Sequence, residues 1–126
     1  MANKILRPSY ISLDTVLRRE GVIFQYSQEI TLISYKTTAM EIDGLKISFR
    51  TLKKSVLLNH DGIIHTGNIS IATKERAFLD ALYFYKDTHF DNLGSINWKE
   101  CQRLIKIYNS PTMEVRLNKY QQKYAQ

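Results

Sequence analysis

Three residues of metal-ligand type lie close together in the middle of the chain, at His60, Asp61 and His65. Two histidines and a carboxylate can hold a transition metal if all three converge and if the second nitrogen of each imidazole is held by another group. The sequence Asn59-His60-Asp61-Gly62 is also typical of a turn, because Asn, Asp and Gly favour turn conformations. We therefore interpret the cluster as a polar turn and expect no bound metal and no cofactor.

Nucleophilic and nucleotidyl-transfer chemistry find little support elsewhere in the chain. The single cysteine, Cys101, falls among the core-facing positions of a predicted helix, where a thiol packs instead of reacting. Gly94-Ser95 is not followed by the paired aspartates that would hold magnesium in a nucleotidyltransferase. The sequence also lacks a Gly-x-Ser-x-Gly elbow and a Gly-rich phosphate loop. We predict no catalytic residues and a protein that is not an enzyme.

Glu75 and Asp80 are two carboxylates that could be considered an acid/base pair. However, Arg76 and Asp80 are four residues apart in a predicted helix, and residues at this spacing are neighbours on a helix surface. We predict an ordinary ion pair between Arg76 and Asp80.

The 126-residue chain carries a formal net charge of +6, which favours an acidic partner or phosphates. From residue 97 onward, six basic residues stand against two acidic ones, so the last quarter holds most of the excess. An ordinary solvated face is the alternative explanation for this charge. We predict that the contact residues, if there is a partner or nucleic acid, are Lys99, Arg103, Lys106, Arg116, Lys119 and Lys123.

Length and cysteine content indicate one domain in a reducing compartment. A chain of this size can bury a single core without disulfides, and one cysteine permits no intramolecular bridge. The N-terminus has no apolar signal segment, and no run of residues is long and apolar enough for a membrane span. We expect a cytoplasmic protein that does not enter membranes.

Local sequence patterns predict the first secondary-structure elements of the chain. Residues 2–7 suggest a short helical lead-in, and residues 13–20 a helix with Ser12 as its N-cap and Gly21 as its stop. A strand is predicted over residues 29–36, and Asp43-Gly44 indicates a type I′ hairpin turn.

The remaining elements follow from turns and caps. Short strands are predicted at residues 56–58, 63–64 and 69–71, and a helix apolar on most sides begins at Thr73. Asn97 and Pro111 each start a further amphipathic helix. We predict an α+β fold, with a small mixed or antiparallel sheet that contains a hairpin and is packed by an N-terminal helix and a central helix. Residues 1–86 form this core, and residues 97–126 form a basic part with two amphipathic helices.

Two stretches resemble the effector domain of AbiEi-family antitoxins from bacterial type IV toxin-antitoxin systems. They are residues 7–17 with Gly21-Val22-Ile23, and residues 71–83. Strand segments 30–34 and 47–50 between them are also similar, and the chain differs mildly in having Lys74 where the family has proline and arginine at 76 where it has lysine. We interpret the motif residues as mainly structural: Tyr10, Ser12, Leu13, Gly21, Thr73, Glu75, Arg76 and Asp80.

The resemblance implies an antitoxin that counteracts an AbiEii-type nucleotidyltransferase toxin, in a system without a stable complex between the two. Family members commonly carry an N-terminal winged helix-turn-helix that binds operator DNA, and residue 1 falls about where that domain would end. We therefore do not carry its DNA binding over to this chain. The alternative functions are a nucleic-acid-binding module that uses the basic C-terminal helices, and an enzyme with an unfamiliar site around His60, Asp61 and His65.

Overall fold

The computed structural model describes residues 7–24, 27–85 and 89–124, and the predicted lead-in helix lies outside these ranges except for Arg7. The strands are β1 (Ser9–Ile11), β2 (Ile30–Ser34), β3 (Thr38–Ile42), β4 (Leu45–Thr51), β5 (Ile63–Thr66) and β6 (Ile69–Ala72). The helices are α1 (Asp14–Arg19), α2 (Lys54–Leu57), α3 (Lys74–Phe84), α4 (Trp98–Leu104) and α5 (Pro111–Tyr124), and a 3-10 helix over Ile105–Tyr108 continues α4.

The six strands form one mixed sheet in the order β3-β4-β2-β1-β6-β5. Antiparallel pairs join β1 to β2, β3 to β4 and β5 to β6, while β2 pairs in parallel with β4 and β1 in parallel with β6. The predicted α+β class is confirmed. None of the described helices has the length and apolarity that crossing a bilayer requires.

The hairpin between β3 and β4 turns where the sequence predicts it. Asp43 and Gly44 both have positive φ, at 52° and 80°, as a type I′ turn requires at its two central positions. The register pairs Ile42 with Leu45 and Met40 with Ile47.

The strand predicted at residues 56–58 is wrong, because residues 54–57 form the short helix α2. Val56 and Leu57 are both buried, whereas Leu58 is 45% exposed. In a strand, consecutive side chains would point to opposite faces of the sheet. One helical turn instead places both Val56 and Leu57 in the core, and the apolar run alone does not distinguish the two possibilities.

Helix α3 is central, as its apolar sequence predicts. It contacts α1, α4, α5 and β6, and its buried apolar residues are Ala77, Phe78, Leu79, Ala81 and Leu82. A second apolar cluster of Leu32, Ile47 and Phe49 belongs to β2 and β4. In β2, Leu32 is adjacent to Ile33 of the main core, so the two side chains point to opposite faces of the sheet.

The predicted N-caps are confirmed for α3 and α4 but not for α1. The side chains of Thr73 and Asn97 accept hydrogen bonds from the backbone N–H groups of Arg76 and Glu100, at 3.3 Å and 3.1 Å. At α1 the residue before the helix is Leu13, with φ of 57° and no side-chain cap. Ser12 is therefore not the N-cap, because its hydroxyl is used in the interior of the protein.

Candidate functional site

A carboxylate without solvent exposure lies at the centre of the protein, on α3. Asp80 Oδ2 accepts hydrogen bonds from the hydroxyls of Tyr10, at 2.9 Å, and Ser12, at 2.6 Å. Asp80 Oδ1 accepts a hydrogen bond from the hydroxyl of Tyr108 in the 3-10 helix. Strand β1, the residue that follows it and the C-terminal part of the chain are thus joined at one side chain of α3.

The side chain of Arg76 is also fully buried, one turn before Asp80. Its Nη1 donates to the carbonyl oxygens of Asn59 and Asp61, and its Nη2 donates to the Val56 carbonyl oxygen at 2.8 Å. These acceptors belong to α2 and to the turn that follows it. Arg76 therefore fixes the backbone of residues 56–61 against α3.

The predicted direct ion pair between Arg76 and Asp80 is wrong. The two side chains are linked through Tyr10, whose hydroxyl accepts a hydrogen bond from Arg76 Nη2 at 3.2 Å and donates one to Asp80. Among the ion pairs of the described residues, none joins Arg76 to Asp80. The Arg76 guanidinium instead binds backbone carbonyl oxygens in α2 and in the turn that follows it. These acceptors lie outside α3, so the i, i+4 spacing within α3 could not predict them.

Burial dominates the electrostatics of this cluster. Burial raises the pKa of Asp80, although Arg76 and the three hydroxyl donors favour the ionised carboxylate. Burial, and next the Asp80 charge, hold the pKa values of Tyr10 and Tyr108 well above the usual range for tyrosine. The tyrosines are therefore hydroxyl donors and the cluster holds the chain together.

Glu75 and the remaining motif residues make contacts within the protein. Glu75 Oε2 accepts a hydrogen bond from the backbone N–H of Asn97 at 3.1 Å, which connects α3 to the start of α4. Leu13 is buried, and Gly21 has φ of 75° at the end of α1. Glu75 and Asp80 thus each bind a different part of the chain, and these contacts do not favour acid/base chemistry between the two carboxylates.

Tyr108 belongs to the buried cluster, and the sequence did not indicate its contact with Asp80. The helical pattern predicts Tyr108 as an apolar position of the helix that begins at Asn97, and its basic neighbours would also suit an interface. A buried tyrosine generally finds a partner for its hydroxyl, and this is the single signal that could have pointed to Asp80.

The basic residues of α4 and of the 3-10 helix are exposed, and one of them is engaged by carboxylates. Arg103 makes two hydrogen bonds of 2.8 Å to Glu100 and lies 3.8 Å from a carboxylate oxygen of Asp61. Lys99 and Lys106 are exposed. Part of the positive charge on this helix is thus compensated locally.

The basic residues of α5 also differ from one another in their exposure and contacts. Arg116 is half-buried and donates a hydrogen bond of 2.7 Å to the carbonyl oxygen of Leu82, near the C-terminal end of α3. A cation at this position is favourable, because the last carbonyls of a helix have no partner within it. Lys119 and Lys123 are exposed, and Lys123 Nζ lies 5.3 Å from the centre of the Tyr124 ring.

The six predicted contact residues fall into two groups on opposite sides of α5. Gln102 of α4 donates hydrogen bonds to the side chains of Asn118, at 3.1 Å, and Gln121, at 2.8 Å. At 3.6 residues per turn, this side of α5 is about 160° away from its basic stripe. The α4-side group is Lys99, Arg103 and Lys106, and the α5-side group is Arg116, Lys119 and Lys123.

The histidines of the predicted polar turn come together, whereas the aspartate does not join them. His60 Nδ1 and His65 Nε2 are 2.8 Å apart, and His65 Nδ1 is 2.9 Å from Ser70 Oγ. The Asp61 carboxylate faces Arg103 instead. Within the part of the chain that the structure describes, no three His, Cys, Asp or Glu side chains converge as a metal site.

A cavity of about 510 Å³ opens beside these histidines. Its walls include Arg7, Ser9 and Tyr10 from the region of β1, and both histidines line it. Cys101 lies elsewhere, fully buried, and burial raises the pKa of its thiol. A thiol in that environment is a packing residue and not a nucleophile.

No family model matches this chain, and no curated protein and no solved structure is similar enough to report.

Proposed function

We propose that this chain is a non-enzymatic, cytoplasmic antitoxin or regulator of the AbiEi type, which counteracts an AbiEii-type nucleotidyltransferase toxin. The observation that carries the proposal is the contact between the two motif segments. Tyr10 and Ser12 of the first segment bind Asp80 of the second, and Tyr10 also accepts a hydrogen bond from Arg76.

The polar residues of the two segments have one common explanation. A buried carboxylate is stable only when hydrogen bonds and a compensating charge replace the lost water, so each member of the cluster depends on the others. The two segments that carry the resemblance therefore form a single three-dimensional unit, which supports the proposal.

Growth rescue tests the proposal. We expect co-expression of this chain to restore growth to cells that express the AbiEii-type toxin encoded at the same locus. Continued growth arrest in cells that contain the soluble chain would contradict the proposal, as would a locus without a nucleotidyltransferase gene.

Charge reversal identifies the surface that acts. Lys99→Glu with Lys106→Glu changes the α4-side group, and Lys119→Glu with Lys123→Glu changes the α5-side group by the same charge. These four lysines are exposed, so each double variant is expected to fold. We expect one double variant to lose rescue and the other to retain it, because the two groups lie on opposite sides of α5.

The second candidate is a nucleic-acid-binding module, which the exposed lysines of α4 and α5 favour. Binding through these lysines should weaken steeply as the salt concentration rises. On duplex DNA, each phosphate contact should add about −0.9 to the slope of log K against log salt concentration. Arg103→Glu and Lys119→Glu should then reduce the slope, each on its own side of α5. A gel shift that detects no complex at low salt rules this function out.

A further inference from the structure

Two imidazole nitrogens face each other at the rim of the 510 Å³ cavity, and both rings are exposed to solvent. We propose that His60 and His65 form a binding site for one divalent transition-metal ion, such as Ni²⁺ or Zn²⁺. His60 would bind through Nδ1 and His65 through Nε2. The site goes beyond the proposed antitoxin function and does not depend on it.

The distance between the two nitrogens is close to that between two ligands of one ion. With metal–nitrogen bonds of about 2.0–2.1 Å, two ligands are about 2.9 Å apart at a right angle and about 3.3 Å apart in a tetrahedron. The nitrogens are 2.8 Å apart now. The ring centres are 4.9 Å apart, so the two nitrogens face each other across their hydrogen bond. Both exposed rings must turn until their lone pairs converge on the ion.

The ring of His65 is already oriented for this role. When Nε2 binds a metal, the proton of the neutral imidazole is on Nδ1, and a hydrogen-bond acceptor for it fixes both the tautomer and the ring plane. Ser70 Oγ lies 2.9 Å from His65 Nδ1 and is such an acceptor. Strands β5 and β6 set this distance, because His65 and Ser70 are register partners.

The backbone of His60 is fixed on both sides. Arg76 Nη1 binds the carbonyl oxygens of Asn59 and of Asp61, which flank His60 in the sequence. The backbone N–H of Asp61 also donates to the side chain of Asn59 at 2.9 Å. A ligand held in place before binding loses little conformational freedom when the metal arrives.

The remaining coordination positions would belong to water or to a ligand in the cavity. Neutral His60 would then carry its proton on Nε2, away from the ion. In the metal-free state one of the two facing nitrogens carries the proton of their shared hydrogen bond, so one ring changes tautomer on binding.

Calorimetric titration of the full, untagged chain with Ni²⁺ and with Zn²⁺ tests the site. We expect one ion per chain for wild type and at least a tenfold loss of affinity in His65→Ala. The matched control is His89→Ala, which removes the third histidine, an exposed residue paired with Asp91, and should bind as wild type does. Wild-type affinity in both His60→Ala and His65→Ala would overturn the proposal.

Two further measurements separate ligation from a structural role. Nitrogen NMR of the histidine rings should show the added ion at Nδ1 of His60 and Nε2 of His65, and shifts confined to His89 would overturn the proposal. Ser70→Ala should weaken binding by about tenfold while keeping one ion per chain. Unchanged affinity in that variant would overturn the positioning of His65 by Ser70.

Discussion

The hydroxyl of Tyr10 donates a hydrogen bond of 2.9 Å to the carboxylate of Asp80, across 70 residues of sequence. Tyr10 is 2% exposed and Asp80 is fully buried, so water does not weaken the contact. The same hydroxyl accepts a hydrogen bond from Arg76, which holds the turn that carries His60. One tyrosine thus connects the two motif segments with each other and, through Arg76, with the turn that carries His60.

Replacing Asp80 by Asn should strongly destabilise the fold. The substitution removes the charge that balances buried Arg76 and directs an amide group at three hydroxyls, with an expected loss of about 3 kcal/mol in the free energy of unfolding. Asp43→Asn makes the same chemical change in the exposed turn of the β3–β4 hairpin, where Asn-Gly is also favourable, and should stay within about 0.5 kcal/mol. Urea denaturation measures both, and equal losses would contradict the role of Asp80.

Gly62 should tolerate alanine less well than Gly67 does. Both residues have positive φ, at 76° and 59°, so each substitution costs about 1–2 kcal/mol in backbone strain. At Gly62 the new Cβ would also lie 3.1 Å from Arg76 Cβ and 3.2 Å from Leu104 Cδ1, whereas at Gly67 it meets open space. Thermal unfolding of the two variants should therefore show an additional loss of about 1–3 kcal/mol for Gly62→Ala.

Stability should fall in alkali because of the buried tyrosines. The folded state holds the pKa of Tyr108 well above its usual value, so above about pH 10 the unfolded chain releases a proton that the folded chain keeps. The free energy of unfolding consequently decreases as the pH rises through this range. Tyr108→Phe should make the slope shallower by about 1.4 kcal/mol per pH unit.

Urea denaturation between pH 9 and pH 11.5 measures that slope. Tyr35→Phe is the control, since it removes a hydroxyl from a residue that is 55% exposed. The same slope in wild type and in Tyr108→Phe would show that the Tyr108 hydroxyl is not protected by folding.

Cys101 should react only when the protein unfolds. The residue has no solvent exposure, and burial raises the pKa of its thiol, with Glu75 and Glu100 adding to the effect. A thiol reagent at pH 8 should label the native chain at the rate of global or local opening and label the urea-unfolded chain at once. Rapid labelling of native protein, followed by absorbance, would contradict the buried position.

Much of the local structure was predictable from the sequence. The Asp43-Gly44 hairpin and the caps at Thr73 and Asn97 depend on interactions within four residues, and the start of α5 at Pro111 depends on proline geometry. The apolar surface of α3 indicated that it lies at the centre. Local rules failed at Ser12 and at residues 56–58, where contacts with distant residues overrode capping and strand propensity.

The sequence by itself determined the α+β class, most of the helices and the turns, because these follow from short-range sterics, hydrogen bonds and hydrophobic periodicity. Only the tertiary structure decided the partners of the charged and polar side chains. Parallel pairing of β1 with β6 places Ile11 beside Ile71. This brings Tyr10 and Ser12 to Asp80, which lies in the second half of α3, the helix that follows β6. The same sheet brings His65 to Ser70 and the turn of His60, and helix packing separates the basic residues onto two sides of α5. Such contacts depend on strand order and packing, which no spacing within a single element encodes.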